Sequence, residues 1–492
     1  MKLQESISKK IAFPRKGIDF YAVPILIFLA FFLFSWFAIF PFESNFILDK
    51  SSIFYFALFI IFLYVLHLNR LCGIGLFICS VILIPSTLGL QRIAYISPSL
   101  HIPFYEVMLF VLTFVWLSDR LLKRNMSLPS SLQTFRIFVL LAVWMILIGF
   151  VYGNSPFNII LDLREISYFL VLATIIPDYI HSEKDIHRLL KFFAISMVWG
   201  AILYYVFYSG MILKPDSVLN ELMTIYETAG YRIGYRLTYS IVIVSFLSIL
   251  ILLSFLLAGS KAIIPILLGL IGLMGVVVLS QIRAIYIMIP VATLLIIYKF
   301  TKLIKEYMIP IFSFVRFGAT IILLLILLWV GWIIAPSGVT WALRERTQTL
   351  SSPDKIILNI VSRFYPFLIR SNTNWITWLI GHGWGTRIYI PWFEETAFNP
   401  MNRFLDNLWL TMTIKGGILG IVATISFFIA FIRLVNQNIQ IDKTLLPVWI
   451  ALWCFTMLSV ILGRIIFFSS IEMILLGLFA GILIKRLKIL SK

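Results

Sequence analysis

The sequence predicts an all-α polytopic membrane protein of about 14 transmembrane helices (roughly 12–14), with one large outer loop holding short interfacial helices. Three observations carry that expectation. Apolar residues fill 61% of the 492 positions and charged residues only 13%, whereas a soluble domain is nearer half apolar and a quarter charged. Mean hydropathy is +1.01, and apolar runs near the roughly 20 residues of a spanning helix recur along most of the chain. Charged residues collect in short clusters between those runs, as membrane topology requires. The net charge of +18 is therefore read as topological, and no nucleic-acid partner is expected.

The expected spans run 22–41, 53–69, 73–90, 104–119, 136–152, 158–178, 190–209, 237–258, 262–280, 284–299, 318–335, 405–432, 445–463 and 465–484. The first is too long for a cleavable leader and lacks a small-residue cleavage site, so it reads as a membrane helix. The span at 158–178 carries charges, and the one at 284–299 is short. Three parts follow: residues 1–335 with the first eleven spans, an outer loop at 336–404, and residues 405–492 with the last three. Lys2, Lys9, Lys10, Arg15 and Lys16 at one end, and Lys485, Arg486, Lys488 and Lys492 at the other, set both termini in the cytoplasm. The basic connections 120–136, 181–191 and 299–316 then fall inside. No repeat or low-complexity segment stands out.

Arginine predominates over lysine on the expected outer side. Topology does not distinguish the two, but phosphate and carboxylate recognition does, because the guanidinium fork binds two oxygens together. Interfacial arginines on lipid headgroups are the alternative reading. The outer connection 210–236 holds Arg232 and Arg236 beside Asp216, Glu221 and Glu227. In the loop 336–404, Ser352-Pro353-Asp354 is a good helix start. The apolar spacing after it predicts an interfacial helix to Arg370, kinked near Pro366. Arg363 and Arg370, seven residues apart, share one face of it. The loop also holds Trp341, Trp375, Trp378, Trp384 and Trp392, suited either to an interface belt or to stacking on sugars.

Soluble-enzyme signatures are missing: no HExxH, no phosphate-binding loop and no Cys/His cluster with metal spacing. Cys72, Cys79 and Cys454 lie in apolar segments, so neither a disulfide framework nor a metal site is expected, and no cofactor is implied. Glu394-Glu395 reads as a solvated face. The informative residues are ionisable groups at or beside membrane depth, where charge is costly and so marks function. They are Asp162, Arg164 and Glu165 in the sixth span, Arg283 between two spans, Asp406-Asn407 at the start of the twelfth, and Arg464. For Arg164 the alternative is an internal ion pair with Asp162 or Glu165. Gly381-His382-Gly383-Trp384-Gly385 is a glycine-spaced outer turn, able either to bring backbone amides to a ligand or to form a plain tight loop.

These motifs carry a resemblance. The GHGWG turn at 381–385, the DN at 406–407 followed by GILG at 417–420, the SQIR at 280–283 and the single large outer loop resemble the superfamily of bacterial O-antigen ligases and Wzy-type polysaccharide polymerases. The resemblance covers mainly 280–420. It implies a metal-free glycosyltransferase of the bacterial inner membrane, acting at the outer face on an undecaprenyl-pyrophosphate-linked oligosaccharide. Chain-length regulator and flippase proteins are the implied partners. The resemblance also implies that outer arginines hold the pyrophosphate. Arg283 and Asp406 are the candidate catalytic residues, and Arg164, Arg232, Arg236, Arg363, Arg370, His382 and Asn407 the candidates to hold pyrophosphate or glycan. Ligases of this superfamily carry a histidine directly before the Asn of the late motif. Asp406 stands there instead, which favours a polymerase over a ligase; a lipid-linked-oligosaccharide flippase is the reading from another class. Asp406 suits a general base acting with a raised pKa, or an N-cap, or both.

Overall fold

In a computed structural model, residues 50–83, 92–97, 100–123, 127, 129–208, 224–228, 231–236, 367, 375–390, 401–405, 407–441, 445–461, 463 and 466–490 are described, with a few isolated positions between 248 and 273. The helices are α1 (Lys50–Leu68), α2 (Arg70–Leu83), α3 (Phe104–Leu122), α4 (Ser130–Thr134), α5 (Arg136–Val151), α6 (Pro156–Tyr179), α7 (Glu183–Tyr208), α8 (Trp375–Ile380), α9 (Leu408–Ile441), α10 (Leu446–Ile461) and α11 (Ser470–Leu490). Among the described residues there are also three antiparallel two-stranded ribbons. They are β1–β2 (Arg92–Ser97 with Leu100–Pro103), β3–β4 (Thr224–Thr228 with Tyr231–Arg236) and β5–β6 (Ile388–Tyr389 with Met401–Asn402).

The span count is corrected. Among the described residues one helix, α9, is long and apolar enough to cross a membrane. The apolar helical stretches Phe56–Leu68, Arg70–Ile82, Arg136–Val151 and Val448–Ile461 are shorter, at 10–17 residues. At about 1.5 Å per residue these fall short of a core about 30 Å thick. The longer helices carry charge: Asp162, Arg164, Glu165 and Asp178 in α6, and Glu472, Lys485, Arg486 and Lys488 in α11. A hydropathy window sums over such charges and does not require one long helix. The expected interfacial helix 354–370 lies outside the described residues except at Phe367.

The packed centre is a layer of phenylalanines. Phe427 of α9 meets Phe169 of α6 at 4.9 Å, Phe138 of α5 at 5.0 Å and Phe467 of the turn before α11 at 5.0 Å. α6 and α11 approach closely because Gly477 and Gly481 sit one turn apart. A Cβ on Gly477 would lie 2.7 Å from the Phe169 carbonyl oxygen, and one on Gly481 2.6 Å from the Ile176 Cβ. Small residues at that spacing let helix backbones touch.

α9 is broken at Gly417, whose φ of 57° and ψ of −143° are not helical. In an unbroken helix the Ile414 and Lys415 carbonyls would take the amides of Ile418 and Leu419. Here they accept from outside, at 3.0 Å from His382 N and 2.7 Å from Gly383 N. The break thus docks the 381–385 turn onto the helix.

Candidate functional site

The turn Gly381–Gly385 is held from three sides. Its face toward α9 uses the two freed carbonyls. Toward α5, Trp384 donates its backbone N–H to Met145 O at 3.0 Å and its indole N–H to Ala142 O at 3.1 Å. From below, Asn154 donates its amide to the carbonyls of His382 at 2.8 Å and Trp384 at 2.9 Å, and to Thr386 Oγ1 at 3.0 Å. The glycines are required: Gly381, Gly383 and Gly385 have φ of 71°, 79° and 87°, where side chains are strained.

Asp162 sits under this turn and joins three elements. Its Oδ2 accepts the Gly385 N–H at 2.7 Å and the Lys415 ammonium; Oδ1 lies 3.4 Å from Arg403 Nε. Lys415 is fully buried in α9, also donating to Thr386 O at 3.0 Å, with the rings of Trp384 and Phe468 at 5.9 and 5.6 Å. Arg403 reaches from the loop before α9 to Glu165 Oε2 at 3.0 Å and to the Leu161 carbonyl. Burial opposes the charge on Arg403, but Glu165 and Asp162 outweigh it and hold the guanidinium above its usual pKa. Two carboxylates and two cations thus form a nearly dry layer, each paired as buried charge requires.

Arg387 is a third cation beside that layer, and it has a different kind of partner. Its Nη2 donates to the neutral Asn158 Oδ1 at 2.5 Å. Burial lowers its pKa, Asp162 opposes that, and the like charge of Arg403 adds to it. Asn158 lies in the first turn of α6, whose N-cap Ser155 makes no side-chain cap bond. Helix amino ends attract anions through unpaired N–H groups and the helix dipole. A half-buried arginine, a carboxamide and an uncapped amino end therefore converge on one spot.

The expected site residues divide. Arg164 is ion-paired, but with Glu106 of α3 rather than with Asp162 or Glu165, and its Nε also donates to Tyr168 Oη at 2.7 Å. His382 is buried in the turn, its Nδ1 3.2 Å from the Ile414 carbonyl. Asn407 is the cap of α9, its Oδ1 accepting the Leu410 N–H at 3.2 Å. Arg232 and Arg236 lie on β4, in register with Glu227 and Thr224. Arg283, Arg363, Arg370 and Asp406 lie outside the described residues, as do Glu394, Glu395, Trp341 and Trp392. The sequence reading missed Asn154, Asn158, Arg387, Arg403 and Lys415. Lys415 had a legible signal, a lysine well inside the apolar run 405–432; the asparagines had none. Among the described residues no group of three or more His, Cys, Asp or Glu is placed to hold a metal ion.

Asn407 supports a prediction of its own. Asn407→Ala is expected to lower stability by about 1 kcal/mol and Asn407→Asp by much less, because Asp caps as well as Asn. Thermal unfolding of the two variants checks this, and equal losses would remove the cap assignment.

Residues 291–486 match a family of unknown function, DUF6369, which takes in the turn, Arg387, Arg403 and α9. No curated protein matches the chain.

Proposed function

We propose that the chain is a membrane-bound glycosyltransferase of the polysaccharide-polymerase type, joining polyprenyl-pyrophosphate-linked oligosaccharide repeats on the outer face of the bacterial cytoplasmic membrane. The observation that carries this reading is Arg387, a half-buried guanidinium partnered by a carboxamide at the uncapped amino end of α6. Such a spot suits a phosphate-bearing ligand, and the paired layer of Asp162, Glu165, Arg403 and Lys415 beneath it holds the loop in place. The resemblance of the GHGWG, DN and GILG segments supplies the reaction class, and the length and apolar character of α9 support a bilayer.

In this reaction an acceptor sugar hydroxyl attacks the anomeric carbon of the donor. The bond from that carbon to the phosphate oxygen breaks, and the pyrophosphate leaves on its lipid. Arg387 and the α6 amino end stabilise the negative charge that develops there, a contribution of about 3–4 kcal/mol per well-placed donor. The hydroxyl proton passes to a carboxylate, for which Asp406 is the sequence candidate. Since Asn407 caps α9, Asp406 is not needed for that purpose.

The test uses the purified chain in liposomes with a polyprenyl-pyrophosphate oligosaccharide. Arg387→Lys keeps the charge but loses the fork, so kcat is expected to fall by about tenfold or more. Asp406→Asn is expected to fold normally and lose most transfer. Arg387→Lys activity within about twofold of wild type would remove Arg387 from the leaving-group site. Retention of the donor with no transfer by the wild-type chain would point to a carrier rather than an enzyme.

A further inference from the structure

We infer that α8 seats in the headgroup–acyl boundary of a bilayer, and that Trp375 and Trp378 set the depth of the neighbouring site in the membrane. This goes beyond the proposed reaction: it requires a bilayer but no glycosyl transfer.

α8 is a six-residue helix without charge, and its exposure is unusual for its composition. Trp375 is 72% exposed, Ile376 39%, Trp378 44% and Leu379 43%; only Thr377 is buried. Exposed tryptophan beside exposed aliphatic side chains is costly in water, whereas the boundary layer suits an indole with an apolar body and a polar N–H. What covers this face is indicated by the helix beneath it. The carboxyl end of α8 abuts the break in α9: a Cβ on Gly417 would lie 2.5 Å from the Trp378 carbonyl oxygen and 2.6 Å from the Leu379 carbonyl carbon.

From that point Ile418, Val422, Ile425 and Ile429 form an exposed apolar row down α9, at the i, i+4, i+7, i+11 spacing of one helix face. The next exposed positions are Arg433, Asn436 and Gln437. From Gly417 to Arg433 is about 24 Å at 1.5 Å per residue. The antiparallel α5 repeats the pattern, with Ile137, Leu140, Leu147, Phe150 and Val151 exposed and Arg136 at the matching end. Both rows are therefore bounded by arginine at one end and by aromatic side chains of α8 or Tyr152 at the other. That is the profile of a lipid-facing band with an interfacial belt. Lys415 lies two residues from Gly417, so Asp162 and the turn stand at the depth of the belt. A phosphate on a lipid carrier would lie at the same level.

The experiment places a nitroxide at residue 375 or 378, through Trp375→Cys or Trp378→Cys, with Cys72→Ser removing the partly buried native thiol; Cys79 and Cys454 are buried. In phosphatidylcholine vesicles the label is expected to collide several times more often with oxygen than with a water-soluble nickel chelate. A second readout needs no label. Lipids brominated at the headgroup end of the acyl chain should quench tryptophan emission, and Trp375→Phe with Trp378→Phe should remove a share of that quenching. Dominant nickel collisions would overturn the inference and make the tryptophans water-facing, as a sugar platform would be. Few collisions with either reagent would also overturn it, showing cover by protein. Insertion with no transferase activity leaves this inference standing and removes the proposed reaction alone.

Discussion

Lys415→Met is expected to cost about 3–5 kcal/mol, the largest loss of any single side-chain truncation in the site. Methionine nearly matches the volume, so little cavity arises. What is lost is the ammonium that faces Asp162 and the Thr386 carbonyl in a fully buried position. Asp162 would be left with only the longer contact to Arg403 Nε at 3.4 Å and the Gly385 amide. Asp162→Asn in the same chain should recover much of the loss, because it removes the stranded charge while its carbonyl oxygen still accepts from Gly385. Thermal unfolding of the two single variants and the double variant gives the coupling energy directly. Losses that add strictly, or a Lys415→Met variant within about 1 kcal/mol of wild type, would mean the pair does not hold the turn against α9 and α6.

Gly383→Ala is expected to be almost as severe, for a steric reason. The added Cβ would lie 2.0 Å from Gly149 N and 2.2 Å from its Cα, both backbone atoms of α5, at a φ of 79°. A flexible side chain could swing aside from such an approach, whereas helix backbone cannot. Strain at positive φ alone is worth roughly 1–2 kcal/mol, so a total of about 3 kcal/mol or more is expected. Gly153→Ala is the matched control, with φ of 70° and open space around the new Cβ; it should cost only about 1 kcal/mol. Similar losses for both, read from unfolding midpoints, would show that the turn does not press on α5. If the proposed transfer reaction holds, Gly383→Ala should lower it as well, because Arg387 follows the turn by two residues.

Much of the local structure was legible in the residues. The helix at 53–69, the bulk of 136–152 and the start of the late helix near 405 all follow from apolar runs of a type that favours helix. Gly381–Gly385 read as a turn because three alternating glycines permit positive φ, and all three adopt it. The charges at 162–165 stood out because an apolar segment pays for each of them. Lys415 belonged to the same class of signal.

Which charges would meet was not legible. Arg164 had two acids within two residues, yet it pairs with Glu106, 58 positions away; Asp162 pairs with Lys415, 253 positions away. The i and i+1 neighbours on a helix point to different faces, so sequence proximity misdirects while the facing helix decides. The number of spans was lost for a related reason. Hydropathy adds along the chain, whereas a crossing helix must be both long and nearly free of charge; among the described residues the charges of α6 and the shortness of α2, α5 and α10 fail that condition.

The sequence by itself determined that this chain is strongly apolar and helix-forming, where it turns, and that arginine marks the loop before the late helix. Only the tertiary structure decided that Arg387 meets a carboxamide rather than a carboxylate, that Asn407 takes the cap, and that two released carbonyls of α9 receive the turn. Those outcomes depend on which backbone groups and charges are left unsatisfied after packing. That remainder is set by contacts across hundreds of residues and has no period or motif along the chain.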